Sequence, residues 1–267
     1  MNLWAFKRYF KYYLIIVRVK VMQLLEYRAD FVMGILGPYG FTALYLISLN
    51  IVFTGVNNIG GWNYNDLLVL FGTAQIIFHT QGSFFFEVEK IGSKIVTGEL
   101  DKYLLRPINS IFVISTQDFQ FIAVLPSILL DFVILIIGIK NSNIPIKLDL
   151  LLVYVALVLL SMGISLLVRL SIGFLAFFLS DTDQIRAVNN RLMGLMEYPG
   201  TIYPGLFKLI FFIIIPFGIL GYAPASVLIE GFRTDLFIYQ LIALFNFLII
   251  TTVLWKRGIK AYSSASS

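Results

Sequence analysis

The sequence predicts an all-α integral membrane protein with six transmembrane helices, and three observations carry that prediction. Hydrophobic residues make up 59% of the chain and charged residues 13%, with a mean hydropathy of +0.88. A soluble domain is nearer half apolar and a quarter charged. The apolar residues gather into long runs, each able to cross a hydrocarbon core of ~30 Å at ~1.5 Å per residue. The Lys and Arg residues fall almost entirely on alternate connections between those runs. No hydrophilic stretch is long enough for a second, soluble domain, so residues 1–267 read as one membrane domain.

The basic segment 1–28 is too interleaved for a cleavable leader, and no small-residue cleavage site follows a short apolar core. On a helical wheel Phe6, Phe10, Tyr13, Val17, Val21 and Leu24 form one stripe, with Lys7, Lys11 and Arg18 on a neighbouring face. The pattern predicts an amphipathic helix lying at the lipid headgroups; the alternative is a frayed first helix of the bundle. Phe31–Phe53 is the first span. Gly34, Gly37 and Gly40 stand three apart on it, a spacing that allows close approach to another helix, and Pro38 should bend it. Gly55–Asn63 is a short turn without Lys or Arg. Tyr64–Phe86 is the second span, with Gln75, His79 and Gly82 forming a polar stripe that should face other helices or a cavity. His79 is either an interhelical hydrogen-bonder or a relay or substrate contact.

Glu87–Asp118 is a polar connection. Val88, Ile91 and Ile95 should line one side of a short helix that Gly98 ends, and Arg106-Pro107 starts a new direction. Phe119–Ile139 is the third span, holding Pro126 and Asp131, and Leu148–Leu179 is the fourth. Arg169 lies ~32 Å from the start of that run and Asp131 ~12 Å from the same surface, so the two should not pair. Arg169 reads as an interfacial anchor. Ser180–Gly205 is expected to be a second inner connection, with Ser180 or Asp181 capping a helix through Arg186 and Arg191. Leu206–Ile229, interrupted by Pro216, Gly218 and Gly221, is expected to be the fifth span, either kinked or re-entrant within residues 199–229. Leu236–Leu254 is the sixth, followed by a tail in which Trp255 suits an aromatic belt.

With the N-terminus inside, seventeen of the twenty Lys and Arg residues lie on inner segments. Only Lys140, Lys147 and Arg233 lie outside. The positive-inside rule then places both termini in the cytoplasm and accounts for a pI of about 9.3 without nucleic acid.

Chemistry is sparse. Cysteine is absent and His79 is the single histidine, which leaves no thiolate ligands and too few imidazoles for a zinc site. There is no Gly-x-Ser-x-Gly elbow, no HExxH and no Gly-Lys dipeptide, hence no P-loop to cradle ATP. Catalytic and metal-binding residues are therefore not assigned, and the chain does not read as an enzyme.

The stretch VTGELDKYLLRPINSIF, residues 96–112, resembles the cytoplasmic loop by which one family of ABC-transporter permeases meets its ATPase. That family comprises the six-helix exporter subunits of the type-two class. Gly98, Leu100, Asp101, Tyr103, Leu104, Leu105, Arg106 and Pro107 carry the likeness. The segment EYPGTIYP…IIIPFGILGYAPA and the Trp–Tyr–Ser tail are similar to the same family, in the same order. One departure is Glu197, which precedes Tyr198-Pro199, since members often carry a basic residue and a small polar residue in this second Pro loop. The resemblance implies an exporter subunit in the cell membrane of a prokaryote that dimerises with a second copy or a similar permease. It implies separate ATPase subunits below, which would hold ATP and magnesium; no cofactor is expected in this chain. The coupling residues implied are those eight together with Ile91 and Ile95. Gln75, His79 and Pro216 are candidates for the path lining. The alternative is an ATP-independent secondary transporter or channel. It would want internal repeats and several intramembrane charges, whereas no repeat relates the halves and Asp131 alone reads as deep. A membrane-embedded enzyme would need convergent titratable groups, and His79 has no partner visible in the sequence.

Overall fold

The computed structural model describes residues 28–106, 109–116, 121–145, 147–179 and 183–262, with five isolated positions before residue 28. The interfacial helix expected over residues 1–28, the Ser180 or Asp181 cap, Pro107 and the Ser-rich end of the tail lie outside the described residues. Among the described residues the protein is all-helical, and five helices are long and apolar enough to cross a membrane. These are contained in α1 (Arg28–Gly55), α2 (Tyr64–Phe84), α6 (Phe121–Asn141), α7 (Leu148–Phe174, extended by a 3-10 turn to Phe177) and α12 (Thr234–Ala261). Between α2 and α6 lie a 3-10 turn (Phe86–Lys90) and three short helices, α3 (Ile91–Val96), α4 (Asp101–Leu104) and α5 (Ser110–Thr116). After α7 come α8 (Asp183–Leu192), 3-10 turns at Met193–Glu197 and Gly200–Ile202, α9 (Leu206–Leu209), α10 (Phe217–Leu220) and α11 (Tyr222–Glu230).

The turn between α1 and α2 marks one end of the bundle. There Ile59 and Trp62 exchange backbone hydrogen bonds around Gly60 and Gly61, both at positive φ. Asn63 then starts α2 with a reciprocal capping box to Asp66. The short helices α3–α5 mark the opposite end. The principal core is built around α2, with Leu70, Phe71 and Ile77 fully buried among α1, α6, α7 and α11.

The close helix crossing lies elsewhere than the glycine spacing predicts. A Cβ on Gly37 or Gly40 would meet nothing within 4 Å. A Cβ on Gly72 would instead sit 2.8 Å from the backbone nitrogen of Leu135, and one on Gly138 2.8 Å from that of Val69. Two glycines on facing helices therefore let the backbones of α2 and α6 touch, the usual device where lipid gives helices no hydrophobic reason to associate. The polar ladder between helices serves the same end. Gln240 donates to Ser161 Oγ at 2.8 Å, Ser161 donates to the Leu220 carbonyl at 2.8 Å, and Ser171 pairs with Thr251 at 2.8 Å.

The order of crossings also differs from the expected one. Arg186 donates to the carbonyl of Glu89 at 3.3 Å, which places the start of α8 at the α3–α5 end. Thr201 Oγ1 donates to the carbonyl of Gly60 at 2.6 Å, at the other end. Residues 183–202 thus run through the bundle, and Ser180–Gly205 is not a loop on one surface. The bent pair that follows, Leu206–Ile214 and Phe217–Glu230, turns by 82°. Its two outer ends share the Trp62 end: the Lys208 ammonium lies 5.6 Å from the Tyr239 ring near the start of α12, and Trp62 Nε1 donates to Glu230 at 2.9 Å. Leu206–Ile229 is therefore a hairpin that dips into the bundle and returns. The bend is made by a π-type turn closing Ile215 N to Ile210 O at 2.7 Å, followed by buried Pro216. Proline, lacking an N–H, ends that leg, and the bundle covers the freed backbone. Lys208 consequently leaves the set of cations expected on the inner side.

Candidate functional site

Two regions carry the candidate residues. The first is the element between α2 and α6. Val88, Ile91 and Ile95 lie on one buried side of the 3-10 turn and α3. Gly98, at φ 76°, reverses the chain, and the Leu100 N–H returns to the Lys94 carbonyl at 3.0 Å. Leu100 and Tyr103 close a second small core with Leu170 and Phe174 of α7. A Cβ on Gly173 would collide with the Ile91 side chain, so Ile91 is seated in a notch on α7. Trp255 packs its ring 4.9 Å from Phe174 and 5.9 Å from Phe177. It is part of this core more than a free belt residue.

Charge fastens the same element. Glu87 accepts from Lys90 at 2.7 Å and Lys94 at 2.8 Å. Burial pulls the Lys94 ammonium down, but its hydrogen bond to Glu87 and the charge of that carboxylate outweigh this and leave it above its ordinary range. The stabilisation from this pair is therefore complete at neutral pH and is lost only as pH rises through the raised lysine value. Arg169 does not anchor at a lipid interface: it is buried, pairs with Glu89 and donates to Met193 Sδ at 3.2 Å. Its counter-charge on a distant segment could not be read from spacing within its own helix.

Of the residues implied to couple to an ATPase, Ile91, Ile95, Leu100 and Tyr103 are interior and hold the element in place. Gly98 and Asp101 are half-buried. Leu104, Leu105 and Arg106 form the exposed tip; Leu105 is 86% exposed, and the Arg106 guanidinium lies 5.3 Å from the Tyr103 ring.

The second region is a cavity of about 430 Å³ between α1, α2 and the crossing segment 183–202. Pro38, Phe41, Ala74, Phe78, Met193 and Met196 give it an apolar wall, while Gln75, His79, Asn190, Arg191 and Glu197 supply polar groups. Gln75 and His79, the predicted stripe, do face one space together. Gln81 and Ser83 turn into the helix packing instead, Gln81 accepting from Ser165 at 2.6 Å and Ser83 donating to the His79 carbonyl at 2.7 Å. Pro216 is not in the cavity wall; it sits at the hairpin bend.

His79 has the partner that its sequence neighbours do not show. Its Nδ1 lies 2.6 Å from Asp131 Oδ2 on α6, and Asp131 is fully buried. The other carboxylate oxygen, Asp131 Oδ1, and Ser127 Oγ one turn away have no partner among the described residues. On the opposite wall, Gln75 Nε2 donates to Glu197 Oε1 at 2.9 Å. Glu197 is the residue sequence reasoning missed. It stands out as an isolated carboxylate in a Met- and Pro-rich segment, but a segment read as a surface loop hides that it is half-buried against Gln75. Among the described residues no group of three His, Asp or Glu stands close enough to hold a metal ion.

A family profile described as ABC-2 family transporter protein matches residues 39–266, which include both regions apart from Gly37 and Pro38. No curated protein and no solved structure matches the chain.

Proposed function

This chain belongs to the ABC-2 family of transporter proteins, and from that premise we propose that it is the permease subunit of an ATP-driven exporter. It is a multi-pass membrane permease of an ABC system, and ATPase subunits are its general class of partner. The finer reading is that two permease chains, identical or similar, enclose a path in the plasma membrane with both termini in the cytoplasm. Separate ATPases, holding ATP and magnesium, dock beneath the tip at Leu104–Arg106. The observation that carries this reading is the construction of that tip. A protruding Leu-Leu-Arg step stands on a base that Ile91, Leu100 and Tyr103 lock to the end of α7. An exposed apolar pair with an adjacent cation suits a groove on a partner, in the helix-in-groove mode. The locked base suits passing a push to the spans as rigid-body rocking.

The test is co-purification with the host's own ATPase. Leu105→Asp and Arg106→Glu should each remove the ATPase from the purified complex and abolish ATP-dependent transport while the permease still elutes as a folded species. Full association in both variants overturns the coupling assignment. A second reading, an ion-driven carrier, is favoured by the buried His79–Asp131 pair and Glu197. Transport persisting in ATP-free vesicles under an ion gradient would select it.

A further inference from the structure

We propose that the cavity walled by Phe41, Phe78, Met193 and Met196 is a binding site for amphipathic organic cations, with Glu197 as the counter-charge. This rests on reading the cavity as part of the transport path and names the class of molecule it takes. The volume, about 430 Å³, lies in the range of sites for drug-sized ligands, and most of the wall is apolar. The polar groups decide the sign. Gln75 serves only one oxygen of Glu197, and Oε2 has no protein donor among the described residues. Among the described residues no ammonium or guanidinium forms an ion pair with the half-buried Glu197 carboxylate, so a charge there in a lipid-surrounded bundle lacks a cation.

His79 points the same way. It lines the same cavity, and its Nδ1 is held 2.6 Å from the Oδ2 of Asp131, a fully buried acid. Two carboxyl groups therefore serve this space, Glu197 in its wall and Asp131 behind His79. The lining includes two aromatic rings, Phe41 and Phe78, a side-chain type that attracts cations, and Met193 and Met196, which adapt to bodies of different shape. Arg191, exposed on α8, is the one cation among the described residues of the wall, six residues before Glu197 in the chain.

The experiment is direct binding to the purified chain in lipid nanodiscs, with no ATPase present. Dansylcadaverine, a fluorescent primary amine, is compared with its neutral N-acetyl amide and with dansylglycine, an anion. The amine should bind saturably above empty nanodiscs and at least tenfold more tightly than the amide. Glu197→Gln should weaken the amine at least tenfold and leave the amide unchanged, and Glu197→Asp should recover part of the loss. Gly37→Leu should block all binding, because Gly37 lines the cavity and a Cβ there has nothing within 4 Å. Unchanged thermal unfolding certifies each variant. Equal affinity for amine and amide, tighter binding of the anion, or indifference to Glu197→Gln in a folded variant overturns the proposal. Because the assay contains no ATPase, it succeeds or fails independently of the docking test at Leu105.

Discussion

At the scale of single residues, the buried polar groups are most costly when one partner is removed. Asp131 is fully buried, and His79 Nδ1 is its one hydrogen-bond partner among the described residues. His79→Leu strands that carboxyl in an apolar interior, where breaking a buried pair costs about 3–5 kcal/mol. Replacing both members by apolar residues removes the stranded group as well as the bond. The expected result is a large fall in unfolding temperature for His79→Leu and recovery of most of it in His79→Leu/Asp131→Leu. Thermal unfolding in one detergent at fixed pH measures both. If the double variant is as unstable as the single one, the pair is not what holds this part of the α2–α6 contact.

At the scale of elements, the α2–α6 crossing is set by two glycines and not by side-chain interdigitation alone. Gly72→Ala or Gly138→Ala places a methyl 2.8 Å from backbone nitrogen on the facing helix, and backbone cannot rotate aside. Each substitution should destabilise by about 1–3 kcal/mol, the usual cost of overpacking. Gly40→Ala meets open space on α1 and should instead gain up to about 1 kcal/mol of helix propensity. Denaturation in graded sodium dodecyl sulfate ranks the three variants. A neutral Gly138→Ala would mean the helices can separate without loss.

At the scale of the whole molecule, the open issue is which surface each segment reaches, and the absence of cysteine makes it directly measurable. Single cysteines at Val56 and Phe207 should react with a membrane-impermeant maleimide from one side, since the turn after α1 and the first leg of the hairpin share one end of the bundle. Cysteines at Thr97 and Lys256 should react only from the other. With the N-terminus inside, the first pair is labelled in intact cells and the second only after lysis. If Phe207→Cys instead labels together with Thr97→Cys, then Leu206–Ile229 crosses the membrane and residues 183–202 do not.

Much was determined by the sequence alone. Runs of apolar residues, the turn at 55–63, the Gly98 reversal and the one-sided pattern of Val88, Ile91 and Ile95 are local features, and local spacing is enough to read them. The same holds for the likeness of residues 98–107 and for Gln75 and His79 sharing a face. What only the tertiary structure decided involves partners far apart in the chain. Arg169 meets Glu89, His79 meets Asp131 and Glu197 meets Gln75 across 80, 52 and 122 residues. No helical period relates such positions. The run of residues 183–202 from one end of the bundle to the other was hidden for a related reason. They are too polar to register as a span, with Asp183, Gln184, Arg186, Asn189, Asn190, Arg191 and Glu197 among them. Leu206–Ile229 is apolar enough to register as one and yet returns to the end it came from. Hydropathy reports what a segment can be buried against; the direction in which it runs is set by the helices that cover it.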